Sequence, residues 1–289
     1  LRPAGDGVAA ASGWAESTFA EMAWERARRA ATRWGLAGAI VGTGVALVAF
    51  APAAWLASAV ASATGDRLLL ADARGTVWTG SAVVVLTGGP GSRDASALPG
   101  RLDWSLRPAA SGLVLQARQA CCLNGAVTLR VTPGLGQLTA TLVPPAGWVG
   151  QWPTAWLGGL GTPWNTMQLG GVTKLSSPGL SLRWAAGRWQ LNGQADVDFT
   201  SVASRLSTLD TLGSYRLGIA GDPGSPGTAQ VTLSTIEGGL LLTGNGTLNA
   251  NGFRFRGEAR STLADEAPLT NLLNIIGRRD GARSVISIG

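Results

Sequence analysis

The chain has 289 residues, enough for one large domain or two modest ones at the usual ~100–200 residues per domain. Hydrophobic residues make up 45% and charged residues 14%, with 42 Gly and 12 Trp, a composition too apolar for disorder and too weakly charged for a long coiled coil. His is absent and only two Cys and one Tyr are present, so the commonest general base and transition-metal ligand are missing; no catalytic, cofactor-binding or metal-ligating residue is assigned.

The net charge of +6 comes almost wholly from Arg, scattered singly between apolar residues rather than gathered into a basic stripe. That distribution argues against a nucleic-acid partner, which calls for a concentrated cationic footprint.

Residues 1–33 read as a short cytoplasmic tail. Leu1 to Gly13 is rich in Ala and Gly, and Ser12 is a candidate cap for a short helix that carries Glu16, Glu21, Glu25 and several Arg. Pairs such as Glu21 with Arg28 or Glu25 with Arg29 add at most a few tenths of a kcal/mol.

Residues 34–63 contain no charged side chain. Trp34, Ile40, Val41, Val45, Leu47, Val48, Phe50 and Trp55 stand in this run among Ala and Gly, and its length exceeds the ~20 residues needed to cross a bilayer as a helix. If the helix were unbroken, Trp34 and Trp55 would lie roughly 31 Å apart, one at each interface. Pro52 falls near the far end, where a lost hydrogen bond is tolerated. Arg26, Arg28, Arg29 and Arg33 immediately precede the run, so the positive-inside rule keeps the N-terminal side in the cytoplasm and exports the chain beyond the run. This predicts a single-pass membrane protein whose bulk, residues 64–289, is exported. A cleaved signal peptide ending near Ala57-Ser58-Ala59 or Ala61-Ser62-Ala63 is the main alternative, and a buried core helix is a third; the length of the run favours the uncleaved anchor.

From residue 64 the pattern becomes alternating, as in strands with one covered face. Leu102, Trp104 and Leu106 oppose Arg101, Asp103 and Ser105, and the same spacing recurs at Val127-Leu129-Val131, Leu138-Ala140-Leu142, Leu180-Leu182-Trp184, Tyr215-Leu217-Ile219, Val231-Leu233 and Phe253-Phe255. Turn signals separate them, among them Pro133-Gly134, Pro178-Gly179, Asp222-Pro223-Gly224 and Asn251-Gly252. The expected fold is mainly β: a large antiparallel sheet of about ten to thirteen strands.

Two stretches depart from alternation. Trp148, Trp152, Trp156 and Trp164 stand among Gly and Pro, reading as an irregular crossover or short helical turn between two sheet halves, with the indoles as packing plugs or, less favoured, a stacking platform. Leu269, Leu272, Leu273 and Ile276 fall at i, i+3, i+4 and i+7 after Asp265 and Glu266 and before Gly277-Arg278-Arg279, which describes an amphipathic helix with charges suited to its dipole. Asp280-Gly281 then turns into a last strand, Ser284 to Ile288.

Asp196 and Asp198 share one strand face, a spacing that paired-carboxylate chemistry permits, but no nucleophile or metal cluster accompanies them and a solvated strand looks the same. Cys121-Cys122 is a candidate redox pair: adjacent thiols can close a strained eight-membered ring, stay free, or bridge to another chain. Gly244-Asn245-Gly246 lacks a P-loop Lys and reads as a bulge or bend in a strand. The apolar strand faces also fit a groove for lipid chains, although ordinary core packing explains the same pattern.

Three blocks carry a resemblance: Pro52-Ala53-Ala54-Trp55-Leu56-Ala57, then Gly75-Thr76-Val77-Trp78-Thr79-Gly80, and finally Leu269 to Arg279 with Asn271, Leu272, Asn274, Ile276, Gly277, Arg278 and Arg279. In these, residues 34–289 resemble the N component of the bacterial type II secretion system. The resemblance implies a non-enzymatic, bitopic inner-membrane protein without cofactors, whose periplasmic domain contacts other secretion components. The strand pattern is also similar to AsmA-like envelope proteins, which makes lipid handling by a β-groove the alternative function and lipid the alternative partner. Gly75 and Gly80 are expected to let Trp78 pack at a strand bend, and Leu272 and Ile276 to dock the last helix.

Overall fold

A computed structural model describes residues 9–250 and 252–289. It contains two compact units, residues 1–51 and 52–289.

The first unit is one helix, α1 (Ala9–Ala49). Ser12 therefore lies inside a helix rather than at its start. The helix carries the apolar run from Trp34 to Val48 with every side chain exposed, and its Ala31–Ala49 segment, of mean hydropathy 1.3, is long and apolar enough to cross a membrane. Arg28 lies over the Trp24 ring at 5.8 Å. Residues 1–8 and the side chains of Glu16, Glu21 and Glu25 lie outside what is described.

The expected single helix over 34–63 is divided. Proline lacks the N–H that a helix interior requires, and α1 stops before Pro52, which is extended (φ −67°, ψ 148°) and stands as the N-cap of α2 (Ala53–Thr64). Trp34 and Trp55 thus belong to different helices in different units. Gly65, in left-handed conformation, ends α2 by donating to the Ala61 and Ser62 carbonyls.

The second unit is one large antiparallel sheet. In chain order its strands are β1 (Leu68–Gly75), β2 (Thr79–Thr87), β3 (Ala95–Ala97), β4 (Leu102–Ala109), β5 (Gly112–Arg118), β6 (Ala126–Gly134), β7 (Gln137–Val143), β8 (Gly150–Pro153), β9 (Leu169–Ala185), β10 (Arg188–Ser204), β11 (Gly213–Gly221), β12 (Ala229–Glu237), β13 (Leu240–Asn249), β14 (Gly252–Ser261), β15 (Arg278–Asp280) and β16 (Arg283–Ile288). A 3₁₀ helix (Thr154–Leu160) and the short α3 (Trp164–Met167) interrupt the strands between β8 and β9, and α4 (Glu266–Ile276) lies between β14 and β15. The order across the sheet is β1-β2-β4-β5-β6-β7-β9-β10-β11-β12-β13-β14-β16-β15, with β3 beside β2 and β8 beside β9. The sixteen strands exceed the expected number because short pieces such as β3, β8 and β15 carry too few residues to show alternation.

The hairpin turns after β4, β6, β9, β11 and β13 all emerge at one end of the sheet, here called the turn end. Asn251, in the last of them, lies outside the described residues. The Trp-rich crossover and α4 lie at the opposite end, the foot. β7 pairs directly with β9, so the Trp-rich segment connects neighbouring strands of one sheet rather than two halves. Within it Trp152 and Trp156 pack edge to face at 5.9 Å, and the Trp156 indole N–H donates to the Ser96 carbonyl at 2.9 Å. These indoles serve packing.

Residues opposite one another on neighbouring strands point to the same face, which defines one inner face running the whole width of the sheet. The helices bury three patches of it. Ala53 of α2 packs with Ala82 and Trp104; the crossover's Trp152 and Trp156 pack with Val84, Leu98 and Cys122; and α4 sets Leu269, Leu272 and Leu273 on Val202, Leu212, Tyr215, Leu240 and Ala259. Glycines in β13 serve this face without any bulge. β13 and β14 pair continuously, and a Cβ on Gly244 would stand 2.4 Å from the Phe255 ring, so the glycine leaves the space the ring occupies.

Candidate interaction surface

The block Gly75–Gly80 is the tight connection between β1 and β2. The Thr76 N–H donates to the Thr79 carbonyl at 2.9 Å and the Thr79 N–H to Thr76 Oγ1 at 3.1 Å. Gly75 has φ +87°, a left-handed conformation that disfavours a side chain, and a Cβ there would meet the Thr79 carbonyl at 2.5 Å. The space at Gly80 is taken by another residue than expected: its missing Cβ would lie 2.5 Å from Trp104. Trp104 is 4% exposed, and its indole N–H donates to the Val77 carbonyl at 3.1 Å. Trp78 is only half-buried, its carbonyl accepting from the Leu106 N–H at 2.7 Å. The packing plug of this turn is Trp104, and Val77 and Trp78 sit at its rim. Alternation did identify Trp104 as inward-facing; what local spacing lacked was the partner across β2 and β4.

The C-terminal block divides into a buried and an open part. Leu272 is 1% exposed and Leu273 0%, whereas Asn271, Asn274 and Ile275 of α4 face solvent. Ile276 packs on the core at the last turn, beside a cavity of about 200 Å³ lined by apolar and aromatic side chains, among them Leu169, Phe199, Leu233, Leu242 and Ile286. Arg278 and Arg279 do not extend the helix as charges on its dipole: Gly277 is extended, and both arginines form β15 against β16. A Cβ on Gly277 would meet the Val285 carbonyl at 2.4 Å, which explains glycine at this exit. Arg279 pairs in register with Ser284, which is fully buried and donates to the Leu273 carbonyl at 2.6 Å, so Arg279 lies on the face that α4 covers. Its Nη1 is buried without a hydrogen-bond partner among the described residues.

The acidic pair is structural. Asp198 is buried and accepts from Arg216 Nε at 2.6 Å and Nη2 at 3.1 Å, a bidentate pair across β10 and β11. The Asp198 carboxylate in turn raises the Arg216 pKa above its ordinary value. Asp196 accepts from the Gln194 amide at 3.3 and 3.2 Å. Cross-strand register, invisible in spacing alone, brings Arg216 rather than a second acid to Asp198.

Cys121 and Cys122 are joined to each other, in the turn between β5 and β6. Cys122 is buried beside Val84 and Leu98, and its carbonyl accepts from the Gln151 N–H at 2.7 Å. Of the states weighed for this pair, the structure shows the intramolecular bond.

Among the described residues no group of three or more Cys, Asp or Glu side chains is placed to hold a metal ion. A family model, type II secretion system (T2SS), protein N, matches residues 66–286, from the start of the sheet to the last strand. The chain belongs to that family. It is a component of the type II secretion system, the family being an accessory one of protein transport, and the match takes in both the Gly75–Gly80 and the Asn271–Arg279 blocks. Pro52–Ala57 and α1 precede the matched region. No curated protein and no solved structure matches the chain.

Proposed function

We propose that the protein is a non-enzymatic accessory subunit of the secretion machine, held in the inner membrane by α1 and acting through its sheet unit on other components in the periplasm. The observation that carries this reading is the family match over residues 66–286. Two features support it. The exposed apolar surface of α1 from Trp34 to Val48 suits a bilayer, with arginines on its N-terminal side keeping that side cytoplasmic. The two motif blocks also reach the surface: Trp78 is half-buried at the β1–β2 turn, and Asn271, Asn274 and Ile275 are exposed on the outer face of α4.

Photocrosslinking in intact secreting cells tests this. With a photoreactive residue at Ile275 or Trp78, adducts to other secretion components are expected. A Trp78→Ala chain that stays folded should lose those adducts and secrete less. Absence of adducts from both positions, together with unchanged secretion when the chain is deleted, overturns the reading.

A further inference from the structure

The connections between strands differ in charge at the two ends of the sheet. In the sequence of the turns at the turn end the one carboxylate is Asp222, between β11 and β12; the tips after β4, β6, β9 and β13 carry none. At the foot Asp66 precedes β1, Asp94 lies between β2 and β3, Asp210 between β10 and β11, and Asp265 before α4, while Glu237 and Asp280 close β12 and β15. Two neighbouring hairpins protrude at the acid-poor end. Beyond Val131, which faces Leu113 near the start of β5, β6 continues to Gly134; beyond Gln194, which faces Ala220 near the end of β11, β10 extends back to Arg188. Both hairpins end in two-residue tips, Leu135-Gly136 and Ala186-Gly187, set side by side by the pairing of Gln137 with Ala185. Leu135 is fully exposed, and Trp184 and Trp189, their rings 6.4 Å apart, flank the second tip with much of their surface in solvent. Tight turns usually carry polar residues, and apolar side chains grouped at protruding tips mark a contact surface.

The same end receives the chain from α1. Phe50 and Ala51 alone separate Ala49, the last residue of α1 and of its membrane-length segment, from Pro52, which bridges Thr76 in the β1–β2 turn. Because β1 runs antiparallel to β2 and β2 antiparallel to β4, that turn lies at the turn end. The three steps from Ala49 to Pro52 span at most about 11 Å. A bilayer crossed by Ala31–Ala49 therefore ends close to the turn end, whatever angle the helix takes.

We propose that the turn end rests on the bilayer that α1 crosses, with Leu135, Trp184 and Trp189 in the headgroup interface on the exported side. Tryptophan favours that depth, where its ring is in an apolar layer and its N–H still meets water. A carboxylate at the same depth would lose hydration without gaining a partner, and beside anionic lipids would also meet like charge, so acids belong at the far end. A polypeptide partner accounts for the exposed tips but requires neither the missing carboxylates nor the short link to α1. The proposal rests on the reading of α1 as a membrane anchor and adds to it a second, reversible contact that fixes which end of the sheet faces lipid.

The test places the full chain, one copy per disc, in nanodiscs of phosphatidylcholine and phosphatidylglycerol, with an environment-sensitive fluorophore on a single introduced cysteine. Cys121 and Cys122 are bonded to each other and stay unlabelled. The variants Leu135→Cys, Leu263→Cys and Val45→Cys are compared; Leu263 is as exposed as Leu135 but lies at the foot, and Val45 lies in α1. All three side chains are exposed, so the variants should fold as the parent does. The Leu135 label should emit at shorter wavelength, be quenched by lipid carrying a nitroxide at its headgroup, and be several-fold less open to aqueous iodide than the Leu263 label. A Leu135 label as open to iodide as the Leu263 label, with the Val45 label in lipid, overturns the proposal and leaves the anchor standing. A Val45 label in water overturns both. Capture of a second copy or another polypeptide, instead of lipid, by a photoreactive residue at Trp189 in intact cells also overturns the proposal.

Discussion

The foot of the sheet and its turn end carry the same alternation on the same inner face, yet their fates differ. At the foot, α4 closes over the strands, and Leu240, Leu269, Leu272 and Leu273 are almost completely buried. At the turn end Trp184, Trp189, Leu248 and Phe253 stand partly in solvent, Trp189 being 55% exposed. Alternation therefore reports which face a residue takes, whereas burial depends on whether a later segment of the chain returns to cover it.

The difference should be measurable as stability. Replacing Leu273 by Ala at the foot removes a fully buried side chain and should cost about 3–5 kcal/mol in denaturant unfolding, whereas Leu182→Ala at the turn end should cost less than about 1.5 kcal/mol. Comparable losses at both sites would mean that the turn end is covered after all. The two tryptophans beside the β1–β2 turn offer a similar contrast: Trp104→Ala should lose about 3–5 kcal/mol and Trp78→Ala roughly half as much or less, because the first indole is 4% exposed and the second is half-buried. Equal losses would restore Trp78 as the plug.

Much of this contrast was legible in the sequence. The inward set Leu102, Trp104 and Leu106 and the helix through Leu269 and Ile276 come from period alone. Three features do not, each for a non-local reason. The glycines at 244 and 246 look like a bend, and their cause lies on the next strand, in the Phe255 ring at Gly244 and the Arg254 carbonyl at Gly246. Asp196 and Asp198 look like a pair until register supplies Arg216. The apolar run from residue 34 looks like one helix, and the helical units separate at Pro52, where the second helix is bound into the sheet by Ala53.

Smaller effects test the outer face, which is polar at both ends. Asp72 is held below the ordinary carboxylate range by hydrogen bonds from Arg101 and Arg74, and Glu258 likewise by Arg260. A carboxylate with a lowered folded-state pKa contributes stability above its unfolded value and loses that contribution as pH falls through the folded value. Stability should therefore decline as pH drops below about 4, and Asp72→Asn should make this decline shallower. An unchanged slope in acid titration of the melting temperature would show that these pairs are too solvated to matter. Smallest of all should be reduction of the Cys121–Cys122 bond. It closes a ring too short to restrain the unfolded chain much, so melting with and without reductant should agree within about 1 kcal/mol.

The most direct test of the account is export of a folded secreted protein by cells lacking this chain, complemented either with the full chain or with residues 52–289 carried to the periplasm by a cleavable leader. A tethered accessory subunit predicts that the full chain restores export and that the untethered sheet unit, though folded, does not. Full rescue by the untethered unit, or normal export without the chain at all, would contradict it.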